Sequence, residues 1–325
     1  MNALPNARFV ANRAHLALAR RIPLDAESET MSLKRALAVV VCALALGFSL
    51  FGAYFARKGY QLCHPSRSHA SAEETAHARA VFPKLADVEF ETRDGITLRG
   101  WFVPPTNGVV VILVHGLYAN RASLEPEAEV MVRHGYGVLL YDSRAHGEST
   151  GTAATWGSSE ALDIADAVQF VKAKPAVARV VLLGFSVGAS AVSRATANDA
   201  SLDPVILYAT WPSLQKEIGY KMAAGGWLGA QFALLGMRLS GTRVEQIAPE
   251  EDVKRISPRP VLMLSGDRDT DTPPWAMDYL FGLFTQPKEL WREHGLGHGG
   301  YYEAEPAEYE RRVIGFLDRY SGRTP

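Results

Sequence analysis

The pentapeptide Gly184-Phe185-Ser186-Val187-Gly188 places a serine in the pattern Gly-x-Ser-x-Gly, directly after the apolar run Val180-Val181-Leu182-Leu183. A serine on a sharp strand-to-helix turn, flanked by glycines, stands clear of the sheet that carries it. Ala189, Ser190 and Ala191 open a helix-compatible stretch, so the backbone N–H of Val187 falls at a helix N-terminus, where negative charge is favoured. This is the geometry of an activated nucleophile. A serine hydroxyl is inert until a base removes its proton. Acyl transfer therefore needs an imidazole to take that proton and a carboxylate to hold the imidazole in the right tautomer. It also needs backbone donors aimed at the developing oxyanion.

Groups far apart in sequence converge only if a sheet brings them together, and the flanking pattern supplies one. Residues 88–92 and 96–103 alternate apolar and polar residues around Arg93-Asp94-Gly95, a β-hairpin signal. Residues 109–114 form a continuous apolar run, as expected for a strand buried on both faces. Helical spacing follows at 122–134, a strand at 137–141, a helix at 159–172, the nucleophile strand at 180–183, strands at 205–208 and 259–264, and a helix from Pro274. Alternating apolar runs and amphipathic helices specify a mostly parallel sheet with helices on both faces. The roughly 50 residues between the last two strands hold the apolar stretch 223–236, read equally as a small lid within 211–255 or as ordinary connecting helix.

Composition removes several functions. A net charge of −1, with no basic stripe carrying interleaved aromatics, argues against a nucleic-acid partner. The two cysteines, Cys42 and Cys63, both precede the catalytic region, so a disulfide framework, a cysteine zinc site and a cysteine nucleophile are excluded there.

From about residue 80 onward the chain resembles an α/β-hydrolase, a serine hydrolase of the esterase, lysophospholipase or serine-aminopeptidase type. The resemblance implies the α/β-hydrolase fold, a mostly parallel central sheet flanked by helices with a small lid or none. Residues 266–273 match the family's G-x-x-D-x-x-x-P loop, which implies Asp269 as the acid; Asp267 and Asp271 are competitors whose other role is turn capping. His294-Gly-Leu-Gly-His298 resembles the family's G-x-G-H loop and implies His298 as the base, with His294 a strand-end residue. His115-Gly116-Leu117-Tyr118 resembles its oxyanion loop. The N–H groups of Leu117 and Val187 are then the oxyanion donors, Tyr118 lines the substrate pocket, and His115 stabilises the turn. Residues 141–149 resemble D-x-R-G-x-G-x-S, with Ala145 where the family has glycine; Asp142 and Arg144 are expected to tie loops together. Glu160 and Asp163 read as the solvent face of the following helix. No cofactor or metal is implied: His115, His146, His294 and His298 lack zinc-ligand spacing.

Residues 36–56 contain no charge and are long enough to span a bilayer, bracketed by Lys34-Arg35 and Arg57-Lys58. The run exceeds a signal-peptide core and no clear cleavage site follows, which favours an anchor. Residues 1–35 read as a disordered segment, with Met31 an alternative start, and 57–79 as a linker before the 80–325 catalytic domain. With the segment before Met31 included, slightly heavier positive charge before the span favours a catalytic domain outside the cytoplasm; from Met31 the two flanks nearly balance. The expected function is hydrolysis of a carboxylic ester or related small or lipid-like acyl compound through an acyl-enzyme. The alternatives are a peptidase, amidase or lysophospholipase on the same scaffold, or a catalytically silent binding domain. A fragment beginning at Ser68 is expected to be active.

Overall fold

In the computed structural model, which describes residues 26–322, eight strands form one sheet. In chain order they are β1 (Ala86–Glu91), β2 (Thr97–Val103), β3 (Val109–Val114), β4 (Gly137–Tyr141), β5 (Arg179–Phe185), β6 (Val205–Tyr208), β7 (Val261–Gly266) and β8 (Lys288–Glu293). The spatial order is β1-β2-β4-β3-β5-β6-β7-β8. β1 and β2 pair antiparallel, as do β2 and β4, and every other pair is parallel. The uncharged run of β3 sits between β4 and β5, where only a strand apolar on both faces is stable. Along it, Val110, Ile112 and Val114 face one core while Val109, Val111 and Leu113 face the other.

The helices are α1 (Ala26–Leu62), α2 (Ala72–Val81), α3 (Glu125–Arg133), α4 (Glu160–Lys172), α5 (Val187–Asn198) and α6 (Leu214–Lys221), followed by α7 (Gly226–Leu239), α8 (Pro249–Ile256), α9 (Pro274–Leu283), α10 (Tyr301–Ala304) and α11 (Pro306–Tyr320). α4, α5, α8 and α9 bury their apolar stripes on one face of the sheet. α2, α3 and α11 cover the other. A third, smaller core unites α6 and α7 with Trp156, Val187 and Trp211. The 211–255 segment is thus α6, α7 and part of α8, packed over the end of β5. The stretch 57–79 holds the final turns of α1 and most of α2, whose start is fixed by a capping box between Ser71 and Glu74.

Two compact units divide within α1, between Phe51 and Gly52. Over its described residues the first unit is helix only, with Val39, Leu44, Leu46 and Leu50 exposed. Thr30–Leu62 is long and apolar enough to cross a membrane. Of the segment read as disordered, residues 1–25 lie outside the described residues and 26–35 are helical.

The expectation that Glu160 and Asp163 face water is overturned: both are buried. The Glu160 carboxylate accepts hydrogen bonds from Thr155 Oγ1 at 2.6 Å and the Gly157 N–H at 2.9 Å, which closes the loop before α4. Asp163 receives Arg144 Nε at 2.7 Å, while the same guanidinium reaches Asp94 in the β1–β2 turn at 3.0 Å. Acidic residues in the first helical turn were drawn inward because a buried arginine and open loop amides needed them. Asp142 is likewise buried and accepts from the Arg121 N–H at 2.7 Å, Arg121 Nη2 at 2.6 Å and the Glu148 N–H at 2.8 Å. Replacing Arg121 with methionine leaves that carboxylate without its cation. Urea unfolding is expected to show a loss of roughly 3–5 kcal/mol; a loss under 1 kcal/mol would show that water or another cation compensates.

Candidate active site

The chain leaves β3, goes to β4 on one side and returns to β5 on the other, so the C-terminal ends of β3 and β5 border the switch point where open α/β sheets form their crevices. Ser186 lies there, between β5 and α5, at φ +56° and ψ −116°, outside the ordinary regions for a residue with a side chain. Its N–H donates to Tyr208 O at 2.9 Å, which pins the turn to β6. Only glycine fits two residues on: a Cβ at Gly188 would sit 2.2 Å from Val114 O. That contact holds the start of α5 hard against the end of β3.

His298, in the loop after β8, brings Nε2 to 3.0 Å from Ser186 Oγ. Its Nδ1 lies 2.8 Å from Asp269 Oδ2, and the Asp269 side chain is fully buried. The other Asp269 oxygen accepts the N–H groups of Asp271 and Thr272, each at 2.8 Å. The carboxylate is therefore held from behind by backbone and faces one partner. With Nδ1 carrying its proton toward Asp269, Nε2 is left as an acceptor for the serine hydroxyl. The Phe185 ring, 4.9 Å from the imidazole between centroids, limits its movement.

The other carboxylates and histidines go elsewhere. Asp267 accepts from Gly295 N–H at 2.7 Å and meets His294 Nδ1 at 2.5 Å, at the exposed end of β8. Asp271 pairs with Lys221 at 3.1 Å. His115 is buried between Gly116 O at 2.7 Å and the Ser143 N–H, which it accepts through Nε2 at 3.0 Å. Burial and the neighbouring His146 push His115 down to about 4, so it is a neutral turn brace. Among the described residues, no group of three or more His, Cys, Asp or Glu side chains is placed to hold a metal ion.

Ser186 opens into a cavity of about 280 Å³ that Leu117, Tyr118 and Val187 also line. The backbone N–H groups of Leu117 and Val187 donate to no acceptor among the described residues. Tyr118 is half exposed, at φ +63°. Sequence reasoning missed Leu62, Trp156, Trp211 and Lys221, which complete the wall. Their only signal is tertiary, since each comes from a segment with no motif.

Behind His298 lies a second cavity of about 150 Å³, bordered by Phe185, Tyr208 and Glu127. Glu127 is buried on α3 with Oε2 unpartnered, and burial raises its carboxyl from 4.5 to about 8. The folded protein retains this proton across a window in which the unfolded chain has released it. The contribution of Glu127 to stability is therefore full below about pH 4.5 and is lost as pH rises toward 8. Urea unfolding at pH 5 and 8.5 is expected to show Glu127→Gln losing less stability than the parent by roughly 2–5 kcal/mol. Equal losses in both proteins would mean that Glu127 is ionised in the fold.

Residues 105–257 match the family model described as "Serine aminopeptidase, S33". The chain is 30% identical over 235 residues to the uncharacterized protein MT2364 of Mycobacterium tuberculosis, covering 70% of this chain and 77% of the relative. The chain belongs to the α/β-hydrolase family. Another relative of this α/β-hydrolase is the uncharacterized protein YfhR of Salmonella typhimurium, 28% identical over 62% of this chain and 70% of the relative. Among solved structures, the esterase Pf2001 of Pyrococcus furiosus superposes with a TM-score of 0.67 at 26% identity, covering 80% of this chain and 99% of that one. These relatives place the chain in a serine hydrolase/esterase-like branch of that family.

Proposed function

We propose that this chain is a membrane-anchored serine hydrolase that cleaves a carboxylic ester through an acyl-enzyme. The reading rests on the unbroken hydrogen-bond chain from Asp269 through His298 to Ser186 at the edge of a largely apolar cavity. Ser186 Oγ attacks the acyl carbon as His298 Nε2 takes its proton, and Asp269 stabilises the resulting imidazolium. The negative charge that forms on the carbonyl oxygen is met by the N–H groups of Leu117 and Val187, the latter at the N-terminus of α5. His298 then protonates the departing alkoxide. A water activated by the same imidazole releases the acid and restores Ser186.

The apolar walls favour an ester over a peptide. A peptidase of the aminopeptidase type must hold a charged amino terminus, and the pocket carboxylate suited to that, Asp271, is already paired with Lys221, which also reaches Glu217. Helix α1 supplies the anchor.

Labelling the detergent-solubilised chain with a fluorophosphonate, followed by peptide mapping and a p-nitrophenyl ester series, tests the reading. Stoichiometric modification of Ser186 together with ester turnover is the expected result. A folded chain that takes up no label and cleaves no ester would be a binding domain instead.

A further inference from the structure

We propose that the last turns of α1 form a wall of the catalytic pocket, and that Leu62 limits the size of the substrate group this pocket admits. The proposal rests on Ser186 as the nucleophile and assigns to the anchor helix a part in substrate choice.

Residues 52–62 of α1 belong to the same compact unit as the sheet. They lie against α7 with the two backbones in contact. A Cβ at Gly59 would fall 1.8 Å from Ala233 O, and one at Gly236 would fall 1.8 Å from Ala56 O. Helices approach this closely only where small residues face each other, here Gly59 with Ala233 and Gly236 with Ala56, and the contact leaves little freedom to slide or rotate. The end of the helix is then tied by hydrogen bonds to the loop that carries Trp156. The indole Nε1 donates to Leu62 O at 3.0 Å, and the Ala154 N–H donates to Cys63 O at 2.8 Å. Cys63 is fully buried, with Sγ 3.2 Å from Thr242 Oγ1. Removal of α1 as a cleaved leader would strand the indole N–H and uncover the glycine face of α7. The helix is built in.

Leu62 and the Trp156 ring that it anchors both face the cavity of Ser186, and Trp211 stands 5.7 Å from Trp156 between ring centroids. At about 280 Å³ the cavity is at the small end of the range for ligand pockets, roughly 300–1,000 Å³. Its walls are mostly apolar, so it fits a short aliphatic or aromatic acyl or alkoxy group. A fragment starting at Ser68, which the sequence leads one to expect to be active, lacks this wall.

The test uses the full chain in detergent, with two opposed variants. Leu62→Ala enlarges the pocket and Leu62→Phe fills it. A single methylene in an apolar pocket changes kcat/KM by roughly 10–200-fold. The ratio of kcat/KM for octanoyl over butyryl esters, or for octyl over butyl acetates, is therefore expected to rise about tenfold or more in Leu62→Ala and to fall in Leu62→Phe. Leu228→Ala, on the exposed side of α7, should leave both ratios unchanged. A role confined to stability would scale all substrates together. Octyl and butyl fluorophosphonates give a second readout that needs no ester turnover. A shift in their labelling-rate ratio without hydrolysis of any ester would uphold the wall and refute the ester reading. Ester hydrolysis with every ratio unchanged in both Leu62 variants would overturn the wall and leave the ester reading standing.

Discussion

Ser186→Ala is expected to lower kcat for ester hydrolysis by a factor on the order of 10⁴–10⁶, with KM little changed. The hydroxyl contributes a bond that exists only after attack, so its loss falls on the transition state and spares ground-state binding. The fold should be indifferent. The backbone at φ +56° is held by the Ser186 N–H bond to Tyr208 O and by the close approach of Gly188 to Val114, neither of which involves Oγ. Unchanged thermal unfolding together with lost turnover and lost fluorophosphonate labelling identifies the nucleophile. Turnover within tenfold of the parent would mean that another group attacks.

Asp269→Asn is expected to lower kcat by about 10⁴. The size of the effect follows from the way the carboxylate is held. Its Oδ1 accepts two backbone N–H groups, from Asp271 and Thr272, so an asparagine must leave its oxygen there. The amide NH₂ then points at His298 Nδ1, where Oδ2 now lies at 2.8 Å. An N–H donor at that place demands an unprotonated Nδ1, which moves the ring proton to Nε2. The imidazole would face Ser186 with a hydrogen where it needs a lone pair. Substrate binding does not involve this exchange, so KM should stay close to the parent value. A loss of less than tenfold would remove Asp269 from the role. Neither competitor would then be an obvious replacement, because Asp267 is engaged by His294 and Asp271 by Lys221.

Much of this molecule was legible before folding, for reasons that can be traced to particular residues. The uncharged run 109–114 announced a central strand because no solvent-facing strand tolerates it. Gly184, Ser186 and Gly188 announced a nucleophile turn because a positive φ and a close backbone approach each restrict what a position accepts. Strand β8, Lys-Glu-Leu-Trp-Arg-Glu, shows in the sequence only as a strand end before His294. It lies at the sheet edge and is half exposed, so its pattern is too polar to stand out. Helical periodicity assigns Glu160 and Asp163 to water, yet both are buried. Here the partners that pull them inward, Arg144 and the 155–157 loop, are known only once the chain is folded.

By itself, the sequence indicated a mostly parallel sheet, most of its strands in chain order and the candidate residues for acyl-transfer chemistry. Those properties are carried by local runs, turns and short motifs. The loop pattern already pointed to Asp269 among three aspartates, but only the fold brings its carboxylate against His298, with backbone N–H groups holding its other oxygen. The fold also decided which part of α1 packs into the unit that holds the sheet. The apolar pattern of α1 runs on without a break, while the division between Phe51 and Gly52 and the reach of Leu62 into the pocket depend on what α7 and Trp156 present to it.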